Sequence, residues 1–323
     1  MPKITMREAI SQALWEEMER DERVFILGEE VGVWGGTYAV TKGFYDHFGE
    51  KRVRDTPIAE AVIVGAAIGA ALTGLRPVAE LMTINFAFAA MDHIVNEAAK
   101  LRYMFGGQFT IPLVLRAPGG GGRQLGATHS QTPDVIFAHF PGLKVVAPGT
   151  PEDAKGMLKS AIRSDDPVLF IEHATLYQVR GEVPDGEYTT ALDQARVQRP
   201  GRDVTIVTYS KMLEISLKAA DQLEKDGIQA EIVDLRCLRP LDMEPVLASF
   251  KKTNRAVIVE EGWQSFGIGA EVSARIYEQA FDYVDAPIRR VAQKEVPLPY
   301  NRTLEQMALP QVEDVIQAVK EVL

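Results

Sequence analysis

The chain has 323 residues, 46% of them hydrophobic and 25% charged, a balance that suits a globular protein with room for two domains of ordinary size. A formal net charge of −10 argues against a nucleic-acid surface, which would show a basic stripe, but leaves room for a basic protein partner. The single cysteine, Cys237, rules out an internal disulfide and fits a reducing compartment, and Met1-Pro2-Lys3-Ile4-Thr5 runs straight into a helical pattern with no basic and apolar segment before it, so a cytoplasmic protein without a secretory leader is expected.

Short apolar runs alternate with amphipathic stretches. Residues 5–20 have a helical pattern and 24–27 read as a strand. A helix over 58–73 and a strand over 78–82 follow, then a helix over 89–105 and a strand over 113–115. The longest apolar stretch, 58–75, contains Glu60 and is mostly alanine and glycine, so no membrane span is expected there. Strands over 145–147 and 168–171 flank a helix over 151–162. That helix opens at Thr150-Pro151-Glu152-Asp153, a cap residue followed by proline and acids at the positive end of the dipole. This alternation predicts an α/β fold with a mainly parallel sheet covered on both faces.

The pattern breaks in a polar stretch punctuated by Pro184, Gly186, Pro200 and Gly201. Residues 1–186 are therefore read as one α/β domain, 187–200 as a linker and 201–323 as a second α/β domain. In the second block, 204–208, 230–235, 256–259 and 288–291 read as strands, and 213–225, 245–252, 267–281 and 310–322 as helices.

Four features could carry chemistry. Glu60 lies in the first turn of its helix, where a carboxylate complements the dipole; among apolar and tiny neighbours it could also share a proton with a cofactor nitrogen. The same helix presents Ala61, Gly65, Gly69 and Thr73 at a spacing of four, a face that lets another backbone approach closely, within the domain or across a subunit boundary. Met82 and Phe86 follow a strand, where they serve either as core or as the walls of a flat pocket for a heteroaromatic ring. Gly119-Gly120-Gly121-Gly122 precedes Arg123 and His129-Ser130-Gln131; it is neither a dinucleotide turn nor a P-loop, and His129 is the best acid/base candidate of the five histidines. No zinc-protease, paired-cysteine or α/β-hydrolase signature occurs.

Taken in order, several segments resemble the beta subunits of the 2-oxo acid dehydrogenase complexes. They include Leu27-Gly28-Glu29-Glu30-Val31-Gly32, Asp55-Thr56-Pro57-Ile58-Ala59-Glu60, Gly74-Leu75-Arg76-Pro77-Val78 and Lys100-Leu101-Arg102-Tyr103. His129-Ser130-Gln131, Pro141-Gly142-Leu143-Lys144-Val145-Val146, Asp153-Ala154-Lys155-Gly156 and Val233-Asp234-Leu235-Arg236 continue the match nearly end to end. The resemblance implies a pyrimidine-binding domain followed by a transketolase C-terminal-like domain. It implies thiamine diphosphate shared with an alpha subunit that holds the diphosphate and its magnesium, in an alpha2beta2 heterotetramer serving a lipoyl acyltransferase core. This chain lacks the family's diphosphate motif, Gly-Asp-Gly followed by paired asparagines, which agrees with that division.

By the same resemblance Glu60 matches the glutamate that hydrogen-bonds N1′ of the pyrimidine, and Met82 and Phe86 match residues packed around that ring. His129 matches a histidine near the reacting carbon that handles protons and acyl transfer. Some relatives hold potassium through backbone carbonyls, aligned here with Leu113, Ala161, Ile162, Ser164 and Asp166; Ser164 departs from the aspartate common there. The region around Glu260-Glu261-Gly262-Trp263 and Gly267-Ile268-Gly269-Ala270-Glu271 looks most like chains acting on pyruvate, a substrate that follows glycolysis. Acetoin and branched-chain 2-oxo acids are the alternatives within the family. A non-catalytic assembly module is the alternative outside it, and retention of Glu60 and His129 argues against that.

Overall fold

Strands that are apolar on both faces need cover on both sides, and the helices between them supply it. The computed structural model describes all residues, Met1–Leu323, and resolves into two compact units. The first unit comprises Met1–Gly119 and Ile136–Leu192, and the second Gly120–Val135 and Asp193–Leu323. No helix is long and apolar enough to cross a membrane.

The chain begins with β1 (Lys3–Thr5), α1 (Met6–Arg20), β2 (Val24–Gly28), α2 (Phe44–Phe48), β3 (Val53–Asp55), α3 (Glu60–Leu72) and β4 (Arg76–Glu80). A 3₁₀ segment (Ile84–Ala90), a π-helical segment (His93–Ala98) and α4 (Leu101–Met104) lead to β5 (Val114–Gly119). Then come α5 (Asp134–Ala138), β6 (Lys144–Val146), α6 (Pro151–Arg163), β7 (Val168–His173) and β8 (Arg180–Glu182). Within the first unit the strands run β6-β7-β5-β4-β2-β3, every pair parallel, while β1 and β8 form a separate antiparallel ribbon. Ile26, Leu115, Val145 and Leu169 lie at the centre with no exposed surface. The start of α6 is set as its sequence predicts: the Thr150 hydroxyl accepts the Asp153 amide at 3.1 Å and Pro151 occupies the first turn.

The second unit adds β9 (Arg196–Arg199), β10 (Val204–Thr208), α7 (Lys211–Lys225), β11 (Ala230–Asp234), β12 (Cys237–Arg239), α8 (Glu244–Thr253) and β13 (Ala256–Trp263). It closes with α9 (Ile268–Ala280), β14 (Arg289–Gln293), α10 (Arg302–Ala308) and α11 (Val312–Lys320). Its sheet runs β14-β13-β10-β11-β9, parallel except for β9 at the edge. Val204, Ile206, Ile232, Val257, Leu223 and Val315 form its core beneath α7 and α11.

Three features differ from the sequence reading. The helix expected over 89–105 is broken into 3₁₀, π and α pieces. The π segment ends with the Ala99 amide donating to Ile94, and Gly142, at φ +95°, comes so close to the Ala99 carbonyl that no side chain fits between them. Residues 187–200, read as a linker, contain the edge strand β9. Gly120–Val135, read as part of the first domain, belongs to the second unit, for reasons that lie in its hydrogen bonds.

Candidate active site

Parallel sheets offer ligand positions beyond the carboxyl ends of their strands. In the first unit β2 runs out into Glu29 and Glu30, β3 leads to Glu60, and β4 ends at Glu80 before Met82. Gly28 permits the close approach of β2 to β4, since a methyl group there would stand 2.5 Å from the Glu80 carbonyl. The next turn is tied down as the Asp55 carboxylate accepts the Gly32 amide at 2.6 Å and the Thr41 hydroxyl donates to the Val31 carbonyl at 2.7 Å.

Glu60 is the first residue of α3 and is 9% exposed. Its cap position is Ala59, which has no side chain to accept the first-turn amides, so the glutamate is the acid that faces the positive end of that helix. Glu29 is buried too, and its Oε1 has no hydrogen-bond partner. Burial pushes the Glu29 carboxyl up from its ordinary range, and repulsion from Glu60 and Glu30 adds to the rise. Met82 and Phe86 are half-buried, and Thr83 between them fixes their turn by accepting the Asn85 side-chain amide at 2.6 Å. A buried carboxyl, an unanswered buried acceptor and two apolar side chains suit a flat ring bearing N–H donors, which an aminopyrimidine is.

Beneath this edge lies a charged core that the sequence reading passed over. Arg116, fully buried in β5, donates from Nε and Nη2 to Glu172 at 2.7 and 2.9 Å and from Nη1 to Glu80. The Tyr177 hydroxyl donates to the same Glu172. Burial raises Glu80, though Arg116 opposes the shift, and burial holds Tyr177 well above its usual value. An arginine inside Leu113-Val114-Leu115-Arg116-Ala117 was a visible signal, since such a charge needs partners.

His129 belongs to the second unit, whereas Glu60, Met82 and Phe86 belong to the first. The histidine is exposed in a turn: its amide donates to the Gly126 carbonyl at 3.2 Å, and Nδ1 lies 2.8 Å from the Thr128 hydroxyl. The glycine-rich loop leading to it has positive φ at Gly120, Gly122, Gln124 and Gly126. Such backbone turns its amides inward into an anion-binding nest, but the anions here are the chain's own. Glu261 accepts the Gly121 amide at 2.7 Å, and Glu305 accepts those of Gly122 and Gln124 at 3.0 and 3.2 Å. The loop is therefore no phosphate cradle.

Of the carbonyls aligned with a potassium site, those of Ala161, Ile162 and Ser164 lie at the C-terminal end of α6, that of Leu113 just before β5 and that of Asp166 just before β7. The Leu113 carbonyl accepts the Val168 amide at 2.9 Å and that of Ala161 the Ser164 amide at 3.2 Å. Those of Ile162 and Ser164 accept from the Arg76 guanidinium at 3.3 and 3.1 Å, and the Asp166 carboxylate pairs with Lys144 and Arg102. Side-chain cations already stand at this helix end, and each carbonyl keeps one lone pair. Elsewhere, Asp92, His93 and Glu97 bring ligand atoms within 4.8 Å of one another at the surface.

Residues 2–180 match the transketolase pyrimidine-binding domain and residues 193–315 the transketolase C-terminal domain. The pyruvate dehydrogenase E1 component subunit beta of Rickettsia felis is 50% identical over 320 residues, covering 99% of this chain and 98% of that one. This chain belongs to the family of pyruvate dehydrogenase E1 beta subunits. The mitochondrial subunit beta-2 of Oryza sativa subsp. japonica is 49% identical over 322 residues, covering 98% of this chain and 86% of the relative. A solved split-gene transketolase, described as an inactive beta4 tetramer, is 26% identical, with a TM-score of 0.81 over 99% of this chain and 98% of the other. The α/β class and the order of the two domain types agree with the sequence reading.

Proposed function

We propose that this chain is the beta subunit of a pyruvate dehydrogenase E1 component, which with an alpha subunit oxidatively decarboxylates pyruvate and transfers the acetyl group to a lipoyl group. The observation that carries this is 50% identity, over nearly the whole of both chains, to a subunit of that name. The alternatives, an acetoin or branched-chain enzyme or a non-catalytic module, have no comparable support. Thiamine diphosphate, when bound, supplies a nucleophilic carbon and an electron sink for decarboxylation.

In this reading Glu60 holds a proton against N1′ of the pyrimidine, in a buried position that strengthens the hydrogen bond. Met82 and Phe86 cover the faces of the ring. His129 handles protons near the reacting carbon and during acyl transfer. The alpha subunit provides the diphosphate site and magnesium. Occupation of the glycine-loop amides by Glu261 and Glu305 supports that division, because it removes the obvious phosphate cradle from this chain. Potassium would use the remaining lone pairs of Leu113, Ala161, Ile162, Ser164 and Asp166 beside Arg76. The open face of α3 supports a protein neighbour: Val62 is exposed there, Ile58 is exposed just ahead of the helix, and a methyl group at Gly69 would meet nothing within 4 Å. The assembly is an alpha2beta2 heterotetramer in the cytoplasm, docked through the acidic C-terminal domain to a lipoyl acyltransferase core.

The test is to combine the chain with its alpha subunit, thiamine diphosphate and magnesium, and to follow oxidation of several 2-oxo acids with an artificial electron acceptor. Turnover of pyruvate only when both subunits are present is expected. Turnover by this chain alone, or preference for another 2-oxo acid, overturns the reading.

A further inference from the structure

We propose that Glu305, with Glu261 beside it, positions His129: the two carboxylates fill the nest of the glycine-rich loop and fix where its histidine stands. This rests on the assignment of His129 to acyl transfer. A loop carrying Gly119-Gly120-Gly121-Gly122 has more backbone freedom to lose than any other stretch of the chain, and a general acid/base group must be held to a fraction of an ångström. The structure restrains the loop from one side.

Glu305 in α10 has no exposed surface and no cation among its hydrogen-bond donors. Its carboxylate accepts the Gly122 amide at 3.0 Å, the Gln124 amide at 3.2 Å from both oxygens, and the Gln124 side-chain amide at 2.8 Å. Glu261 in β13 takes the Gly121 amide at 2.7 Å. Packing closes the remaining space. A methyl group at Gly121 would stand 2.7 Å from Leu298, and one at Gly126 would stand 2.7 Å from the Tyr300 ring. Gly126 is the residue whose carbonyl receives the His129 amide, so the restraint reaches the histidine through three residues of backbone. Loop, carboxylates and packing residues all lie in the second unit. The loop is thus registered to β13 and α10, although in sequence it follows directly on β5 of the first unit.

Glu305→Gln tests this in the reconstituted alpha2beta2 tetramer, since it keeps the volume but turns one acceptor into a donor that faces amide donors. Hydrogen–deuterium exchange over residues 120–135 is expected to accelerate by about tenfold or more. Acetyl transfer to a free lipoyl domain is expected to fall about tenfold further than turnover with an artificial acceptor. In a His129→Ala background, E305Q is expected to add no further loss, because its effect passes through the histidine. Equal losses in the two assays, additivity with H129A, or unchanged exchange would overturn the positioning role. An H129A tetramer with full acetyl transfer overturns the histidine assignment itself, an outcome distinct from an impaired H129A beside an unimpaired E305Q, which sinks the proposal alone. Should E305Q not assemble, Glu261→Gln, which weakens the hold on the Gly121 amide, is expected to show the same selective loss to a smaller degree. Its absence would count against the proposal.

Discussion

Glu60 and Arg116 are both ionisable and both buried, yet they ask for different treatment. Glu60 starts a helix, where the dipole suits an acidic side chain, and a glutamine keeps nearly the same shape. Glu60→Gln is expected to leave the fold and the tetramer intact and to slow proton exchange at C2 of bound thiamine diphosphate by about 100-fold or more. Unchanged exchange, followed by NMR after acid quench, would remove Glu60 from the chemistry. Arg116 is answered only by Glu80 and Glu172, so Arg116→Met leaves two carboxylates buried without a counter-charge. A loss of about 3–5 kcal/mol is expected, read as a large drop in melting temperature. The position of Glu60 in the first turn of its helix could be read from the sequence, because proline and small apolar residues around it mark the start. The partners of Arg116 could not, because they come from strands far along the chain and no local spacing records a parallel register.

The behaviour of single elements turns on backbone more than on side chains. At Gly142, with φ +95° and the Ala99 carbonyl 1.8 Å from any added methyl, Gly142→Ala must displace main chain, at a cost on the order of 1–3 kcal/mol. A melting temperature equal to that of the parent chain would show that the contact relaxes freely. Gly69 is the opposite case, a helical glycine in open space. Gly69→Ala is expected to stabilise the isolated chain by about 0.5–1 kcal/mol while weakening its association with the alpha subunit, measured by sedimentation. Stabilisation with undiminished association would show that this face of α3 is not an interface. Strong periodicity made α6 and α7 legible to within a few residues, and α3 showed as a long run of small apolar residues after Pro57. Periodicity misled over 89–105, where apolar residues keep a helical spacing but the chain changes pitch to meet the segment around Gly142. The short strands β3, β9 and β12 carry too few residues for any alternation to register.

For the whole molecule the acidic balance matters less than where the carboxyls lie. Burial pushes Glu260 up to about 7, against the opposing pull of the Gly269 amide and Arg290. A carboxyl whose folded value lies above its unfolded one favours folding most while it is protonated. Its contribution is therefore full below about 4.5, declines as pH rises through about 7, and is level beyond. Asp21, drawn down to about 2 chiefly by Arg23, acts in the other direction and is lost only as pH falls below 4 towards 2. Melting temperature is expected to fall between pH 5 and 7 in the parent chain, and less steeply in Glu260→Gln; parallel slopes would remove Glu260 as the cause. Fold class could be read from the alternation of strands and helices, and the order of the domain types from the family resemblance, but the membership of the glycine loop could not, since it depends on two carboxylates encoded far downstream.

That membership limits how genes of this kind can recombine. A single crossover near Asp193 would join the glycine loop of one parent to the Glu261 and Glu305 of another, so a chimera inherits the histidine and its supports from different lineages. A fragment starting at Asp193 would carry both acids without the amides that answer them. The workable exchange is a double one, in which Gly120–Val135 travels with the distal half as if the two were adjacent.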